Sequence, residues 1–125
     1  MSVPVPALAP PPPEVAALVT ALGEFVRRAV GIAVDGTPET LPLVDHYVEL
    51  VRSQRETRPE VIAVVAPALG AYFGEVLRSR IGGFWRLPSE DVHRWRVCSD
   101  RVLMAVNPIG LAYDVLLRGE EHDGP

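Results

Sequence analysis

"GAYFGEVLRSRIGGFW", residues 70–85, decides how this chain is read. Upstream and through this stretch, Val61, Val65, Leu69, Tyr72 and Val76 recur at helical spacing, with Ile62 and Phe73 beside them. On a wheel of 100° per residue, Ala63, Gly70 and Gly74 fall on nearly the opposite side. A solvated helix face carries Arg, Glu or Gln; this one carries almost no side chain. Each glycine inside a helix costs about 1 kcal/mol relative to alanine, and close approach by a neighbouring element offsets that cost. The pattern therefore predicts a central helix, opening near Pro59 and Glu60, packed on both sides. Pro67 lies inside it. Proline deletes one helical hydrogen bond and crowds the preceding turn, which predicts a kink or break near Ala66. One bent helix and two collinear helices both fit.

N-terminal to this segment, Pro13 and Glu14 suit a first helical turn, and Arg27 and Arg28 suit a last one. Between them Val15, Leu18, Val19, Leu22, Phe25, Val26 and Ala29 step by three and four residues, giving a helix over 13–30 stopped by Gly31. Turn chemistry at Asp35 and Gly36 precedes a second helix. It starts at Thr37 and Pro38 or over 39–42, carries Leu41, Val44, Tyr47 or Val48, and Val51 on one side, and ends near Gln54. Arg52, Arg55 and Arg58 near its end alternate with Glu49, Glu56 and Glu60, the pattern of a self-neutralised solvated face.

After Gly82 and Gly83 the periodicity changes. "GFWRL", "VHRWRVC" and "RVLMAV" are short and rich in aromatic and β-branched residues, which predicts a three-stranded antiparallel meander with a tight connection at Ser99 and Asp100. In the middle strand His93, Trp95 and Val97 share one face and Arg94, Arg96 and Cys98 the other. The tryptophan face should meet the helices and leave the arginine face exposed. Asn107 and Pro108 open a last helix with Ile109, Ala112, Tyr113 and Leu116 on its apolar side. The expected fold is α+β: three N-terminal helices, the meander and a C-terminal helix, with helix 3 at the centre. Residues 1–12 form a proline-rich flexible arm, 13–119 a single domain, and 120–125 a frayed tail.

"LGAYFGEVLRSRIGGFW", followed by strands and then "VNPIGLAYDVLLRG", resembles a pattern of small bacterial domains without assigned activity. There a G-x-x-x-G-E helix runs into G-G-x-W, a short meander and an N-P helix start. Gly70, Gly74, Glu75, Gly82, Gly83, Trp85, Asn107 and Pro108 match it over about residues 60–118, and Phe84 departs from it. The resemblance implies a compact helix-plus-meander fold and carries over no catalytic residue.

Composition narrows the function classes. The chain has 125 residues and a net charge of −4, with a pI near 5.3, which argues against general binding to nucleic acid or anionic membranes. All 12 basic residues are arginine, the mark of a GC-rich genome unless the guanidinium groups converge on an anion. Cys98 is the single cysteine, so neither an internal disulfide nor a cysteine-rich zinc site can form; a reducing cytoplasm fits. No run of 18 apolar residues predicts a membrane span, and "MSVPVPALAPPPP" lacks the basic start and apolar run of a secretory signal.

Motifs for catalysis are missing: there is no phosphate loop, GxGxxG, HExxH or GxSxG. Asp45, His46 and Glu49 cluster on the second helix without the second pair that a carboxylate-bridged metal site needs. No metal or cofactor is expected. Glu75 reads as a boundary carboxylate paired with Arg78, Arg80 or another helix's arginine; its catalytic alternative is a general base.

These features point to a non-enzymatic cytoplasmic protein-interaction domain, an adaptor or accessory. Its contact residues would be Pro10, Pro11, Pro12 and Pro13 of the arm, which could dock on a partner or back on this domain, and Arg86, Arg94 and Arg96 of the sheet. The partner is another protein, or a second copy through an exposed edge strand. Two alternatives remain open. One is a small-molecule or anion-binding domain with a pocket between helix 3 and the sheet, lined by Tyr72, Glu75, Trp85 and His93. The other is an enzyme using Glu75 and His93.

Overall fold

The computed structural model describes residues 10–35, 38–53, 59–99 and 104–121. Helix α1, Pro13–Val30, begins and ends at the expected residues. Pro12 precedes it at φ −54° and ψ 148°, and its carbonyl accepts the first helical hydrogen bond, from Ala16 N at 2.9 Å. Gly31 ends the helix at φ +83°, donating to the Arg27 carbonyl at 2.8 Å, a left-handed cap that glycine adopts without a Cβ clash. A 3₁₀ turn at Pro38–Thr40 leads into α2, Leu41–Ser53. Val44, Tyr47, Val48 and Val51 are all buried on it, so Tyr47 and Val48 both belong to its core side. Asp45, His46 and Glu49 are exposed, and Glu49 pairs with Arg52 at 3.0 Å. Gln54, Arg55, Glu56 and Arg58 lie outside the described residues.

Helix α3, Pro59–Ile81, is one continuous helix with Pro67 inside it. Pro67 cannot donate to the carbonyl of Ala63, and Ala63 is exposed, where water can take that place. By length and composition alone α3 could cross a membrane, yet half of that stretch is buried within the fold. A helix that is apolar on most sides is the buried helix of a core. Its main neighbours are α4, Pro108–Glu121, and α1.

Two buried clusters meet along α3. One joins Val65, Leu69, Tyr72 and Val76 to Leu22 and Val26 of α1, Val44 and Val48 of α2, and Ala112 and Leu116 of α4. The other joins Ala71 to Val15, Trp85, Trp95, Val97 and Ile109. Val61 and Ala63, assigned to the packed faces from the sequence, are both exposed, because burial on α3 begins only at Val65.

The sheet is the expected antiparallel meander in the order β1, Phe84–Arg86; β2, Arg96–Ser99; β3, Met104–Val106. Trp85 faces Val97 across the first pair, and Val97 faces Val106 across the second. The middle strand is shorter than its sequence suggests. Val92–Arg94 form a 3₁₀ turn, because the Asp91 carboxylate accepts from His93 N at 3.0 Å and draws the chain into a turn. His93 therefore leaves the Trp95 and Val97 face and is exposed. Helix α4 extends to Glu121, past the expected boundary at 119. Residues 1–9 of the arm, the connection over 100–103 and residues 122–125 lie outside the described residues.

Gly70 and Gly74 are buried as the helix wheel requires. A Cβ on Gly70 would overlap the Ile109 backbone, lying 2.7 Å from its nitrogen. Gly23 of α1, in contrast, has nothing within 4 Å of the same position. Gly70→Ala is expected to lower stability in urea titration by about 2 kcal/mol through overpacking against main chain that cannot yield. Gly23→Ala should raise it by about 0.5–1 kcal/mol through helix propensity.

Candidate functional site

Glu75 and Trp85 come together through α3. A Cβ on Gly74 would sit 2.5 Å from Cη2 and 2.6 Å from Cζ2 of the Trp85 ring, so the missing side chain is the seat of the indole. One residue on, Glu75 Oε1 accepts the indole N–H at 2.7 Å. Arg78 donates from Nε to Oε1 at 2.7 Å and from Nη2 to Oε2 at 3.1 Å. Glu75 and Arg78 side chains are only 16% and 7% exposed. The boundary pairing expected from the sequence is thus present, with a second donor that spacing did not reveal. Three donated bonds occupy the Glu75 carboxylate and hold a guanidinium in fork geometry.

His93 stands elsewhere. Its ring lies against Tyr113 with centroids 4.8 Å apart, and its carbonyl accepts a hydrogen bond from Asn107 Nδ2. Asn107 also caps α4, accepting from Gly110 N at 2.9 Å. Tyr72 hydrogen-bonds through its hydroxyl to Thr40 at 3.0 Å. It lines a cleft of about 380 Å³ with Val19, Glu24, Arg27 and Asp35. At the rim, the hydrogen bond from Arg27 holds the Glu24 carboxyl below the usual glutamate range. Of Tyr72, Glu75, Trp85 and His93, the structure joins Glu75 to Trp85 and sends the other two to separate surroundings.

A second cleft, of about 440 Å³, is lined by Pro10, Pro11, Pro12, Pro13, Arg78, Gly83, Phe84 and Trp85. The end of the proline arm therefore runs beside the first strand of its own domain. Pro12 has polyproline II dihedrals. Of the two placements expected for these prolines, on a partner or back on this domain, the described residues show the second; the sequence did not indicate that Phe84 and Trp85 would be their neighbours.

Arg86, Arg94 and Arg96 are all exposed, as the strand alternation required for Arg86 and Arg96. Arg94 arrives there from the 3₁₀ turn. Arg86 and Arg96 are direct partners across β1 and β2. The Arg86 guanidinium lies 5.4 Å from the Phe84 ring centroid, within cation–π range. Among the described residues the ion pairs are Arg27 with Glu24, Arg52 with Glu49 and Arg78 with Glu75; none involves these three arginines. Half-buried Cys98 lies opposite Phe84 on the same face. Both tryptophans are turned inward, with the Trp95 indole donating to the Ser89 carbonyl at 2.9 Å.

Comparison with protein-family models, with characterised proteins and with solved structures finds no match for this chain.

Glu75→Gln keeps the shape and removes the charge beside a buried guanidinium. It is expected to cost about 3 kcal/mol in chemical denaturation, the usual penalty for orphaning one half of a buried pair. Trp85→Phe, which keeps a ring over Gly74 but loses the indole donor, should cost about 1–2 kcal/mol.

Proposed function

We propose that this chain is a non-enzymatic, cytoplasmic protein-interaction domain, an adaptor or accessory, whose working surface is the outer face of the meander. The observation that supports it is the facing of Arg86 and Arg96 across one strand pair. Like charges directly opposite one another destabilise a sheet. A carboxylate at either position would remove that repulsion, so a surface kept for stability alone would not pair two guanidinium groups. An anionic partner group would bridge them and turn the repulsion into a two-pronged contact, for which planar guanidinium is well suited. Protein is favoured over nucleic acid as the partner for two reasons. The chain carries a net charge of −4, which opposes a polyanion. Its tryptophans are buried, which leaves no row of exposed rings on which bases could stack.

Catalysis is disfavoured by the engagement of Glu75, which already accepts from Arg78 and Trp85, and by the placement of His93 against Tyr113.

Arg96→Glu places opposite charges across the strand pair. It should raise stability in urea by about 0.5 kcal/mol while abolishing partner recovery in quantitative affinity purification from native cells. Recovery with the wild-type chain should fall as salt is raised. Equal recovery by wild type and Arg96→Glu would remove the arginine face from the function.

A further inference from the structure

The arginine face and the proline cleft share one residue. Phe84 carries the Arg86 guanidinium over its ring and lines the cleft with Trp85 and the four prolines. Arg86 is two residues from Phe84 on the same face of β1, about 7 Å along the strand. An extended peptide covers that distance in two residues.

The cleft's own chemistry restricts what enters it. Pro10, Pro11, Pro12 and Pro13 have no backbone N–H, so this wall cannot add a strand by donating ladder hydrogen bonds. The remaining lining is Gly83, Phe84, Trp85 and Arg78, whose guanidinium is held by Glu75. Its volume of about 440 Å³ suits a bulky apolar group. A lining of four prolines and two aromatic residues favours a flat side chain, which loses little conformational freedom on binding.

Resting on the interaction reading above, we propose that cleft and arginine row form one docking groove for an acidic peptide segment of a partner protein. An aromatic side chain of the partner enters between the prolines and Trp85. A carboxylate two residues away bridges Arg86 and Arg96. The partner's recognition element is thus an Asp or Glu two positions from an aromatic residue, in an acidic surrounding that complements the exposed guanidinium groups.

The test uses the full chain and fluorescein-labelled synthetic peptides at low salt. EEEFEEE is expected to bind at least tenfold more tightly than EEEAEEE by fluorescence anisotropy. Unlabelled EEEFEEE should also shift tryptophan emission, since Trp85 lines the cleft and Trp95 does not. The double variant Arg86→Ala with Arg96→Ala should weaken EEEFEEE at least tenfold. Both positions are exposed, so the fold should be kept, as checked by circular dichroism. Equal affinity for EEEFEEE and EEEAEEE would overturn the aromatic anchor and leave the arginine face standing. Binding that survives the double arginine variant would overturn the arginine face itself, and with it the groove. Failure of both acidic peptides would overturn both readings. An emission shift with MSVPVPALA, the sequence of residues 1–9, but not with EEEFEEE would assign the cleft to the chain's own N-terminal segment and overturn the proposal. Displacement of EEEFEEE by a ten-nucleotide oligo-dT at lower concentration than by itself would do the same in favour of nucleic acid.

Discussion

The seating of the Trp85 ring on Gly74 is the contact on which the rest of the architecture depends. Two adjacent positions of α3 do complementary work. Gly74 withdraws its side chain to admit the ring, and Glu75 supplies the acceptor for the indole N–H. An indole buried without a partner for its N–H would carry a desolvation penalty of about 1–3 kcal/mol. Arg78 then balances the charge of Glu75 from the next turn of the same helix. Trp85 is thereby attached to α3 by shape and hydrogen bond, while the ion pair within α3 balances the charge of the acceptor. Because side chains alternate along a strand, fixing Trp85 inward turns Phe84 and Arg86 outward. The register with β2 then places Arg96 beside Arg86. The position of the arginine pair is a consequence of where a glycine lies in a helix.

Helix α3 can hold the centre because its small residues and its large ones serve different neighbours. Its large apolar side chains fill the space towards α1 and α2. Its glycine side admits the Ile109 backbone, the Pro108 ring and the Trp85 ring at distances that no side chain would permit. The tight turn that follows has a similar economy. Gly82 takes φ +66°, and Gly83 N returns to the Arg78 carbonyl at 3.0 Å, closing the helix by a Schellman pattern. The chain therefore reverses within two residues and enters β1 immediately beside the helix that has just ended.

The helices and the strand order were legible in the sequence because local chemistry marked their ends. Pro13, Glu14, Arg27, Arg28 and Gly31 bound α1 on both sides, and Asn107 with Pro108 announced α4. The glycine face of α3 was legible because small residues recur at helical spacing where charged ones are expected. Errors arose where a local interaction competed with the pattern. The alternation through His93 looks like strand, but the Asp91 cap turns that segment into 3₁₀ and moves His93 away from Trp95. Val61 and Ala63 fit the helical stripes, yet the neighbours that would cover them begin one turn later. Of the candidate site, the outward arginines follow from alternation, and the pairing of Glu75 with Arg78 follows from i, i+3 spacing. The cleft does not, because Pro10–13 and Phe84 line it from segments about seventy residues apart, and no periodicity encodes that.

Charge distribution gives the outer face its meaning. The chain has 16 acidic and 12 basic residues, so carboxylates are in excess and an arginine with no ion pair among the described residues needs a reason. Arg27, Arg52 and Arg78 each have an acidic residue three positions earlier on the same helix. Arg86 and Arg96 sit on strands, where the same face also carries Phe84, Cys98 and Ala105, so intrahelical pairing is closed to them by geometry. Their side chains are instead exposed among the described residues. At physiological salt, charge is felt over about 8 Å, so the Arg86 and Arg96 charges act locally on the sheet of a chain whose net charge is −4. An acidic ligand meets a net charge of −4 on the chain as a whole and two facing guanidinium groups at the strand pair. That combination yields orientation as well as attraction, since it selects the approach in which the ligand's carboxylates meet the strand pair and its apolar group meets the adjoining cleft.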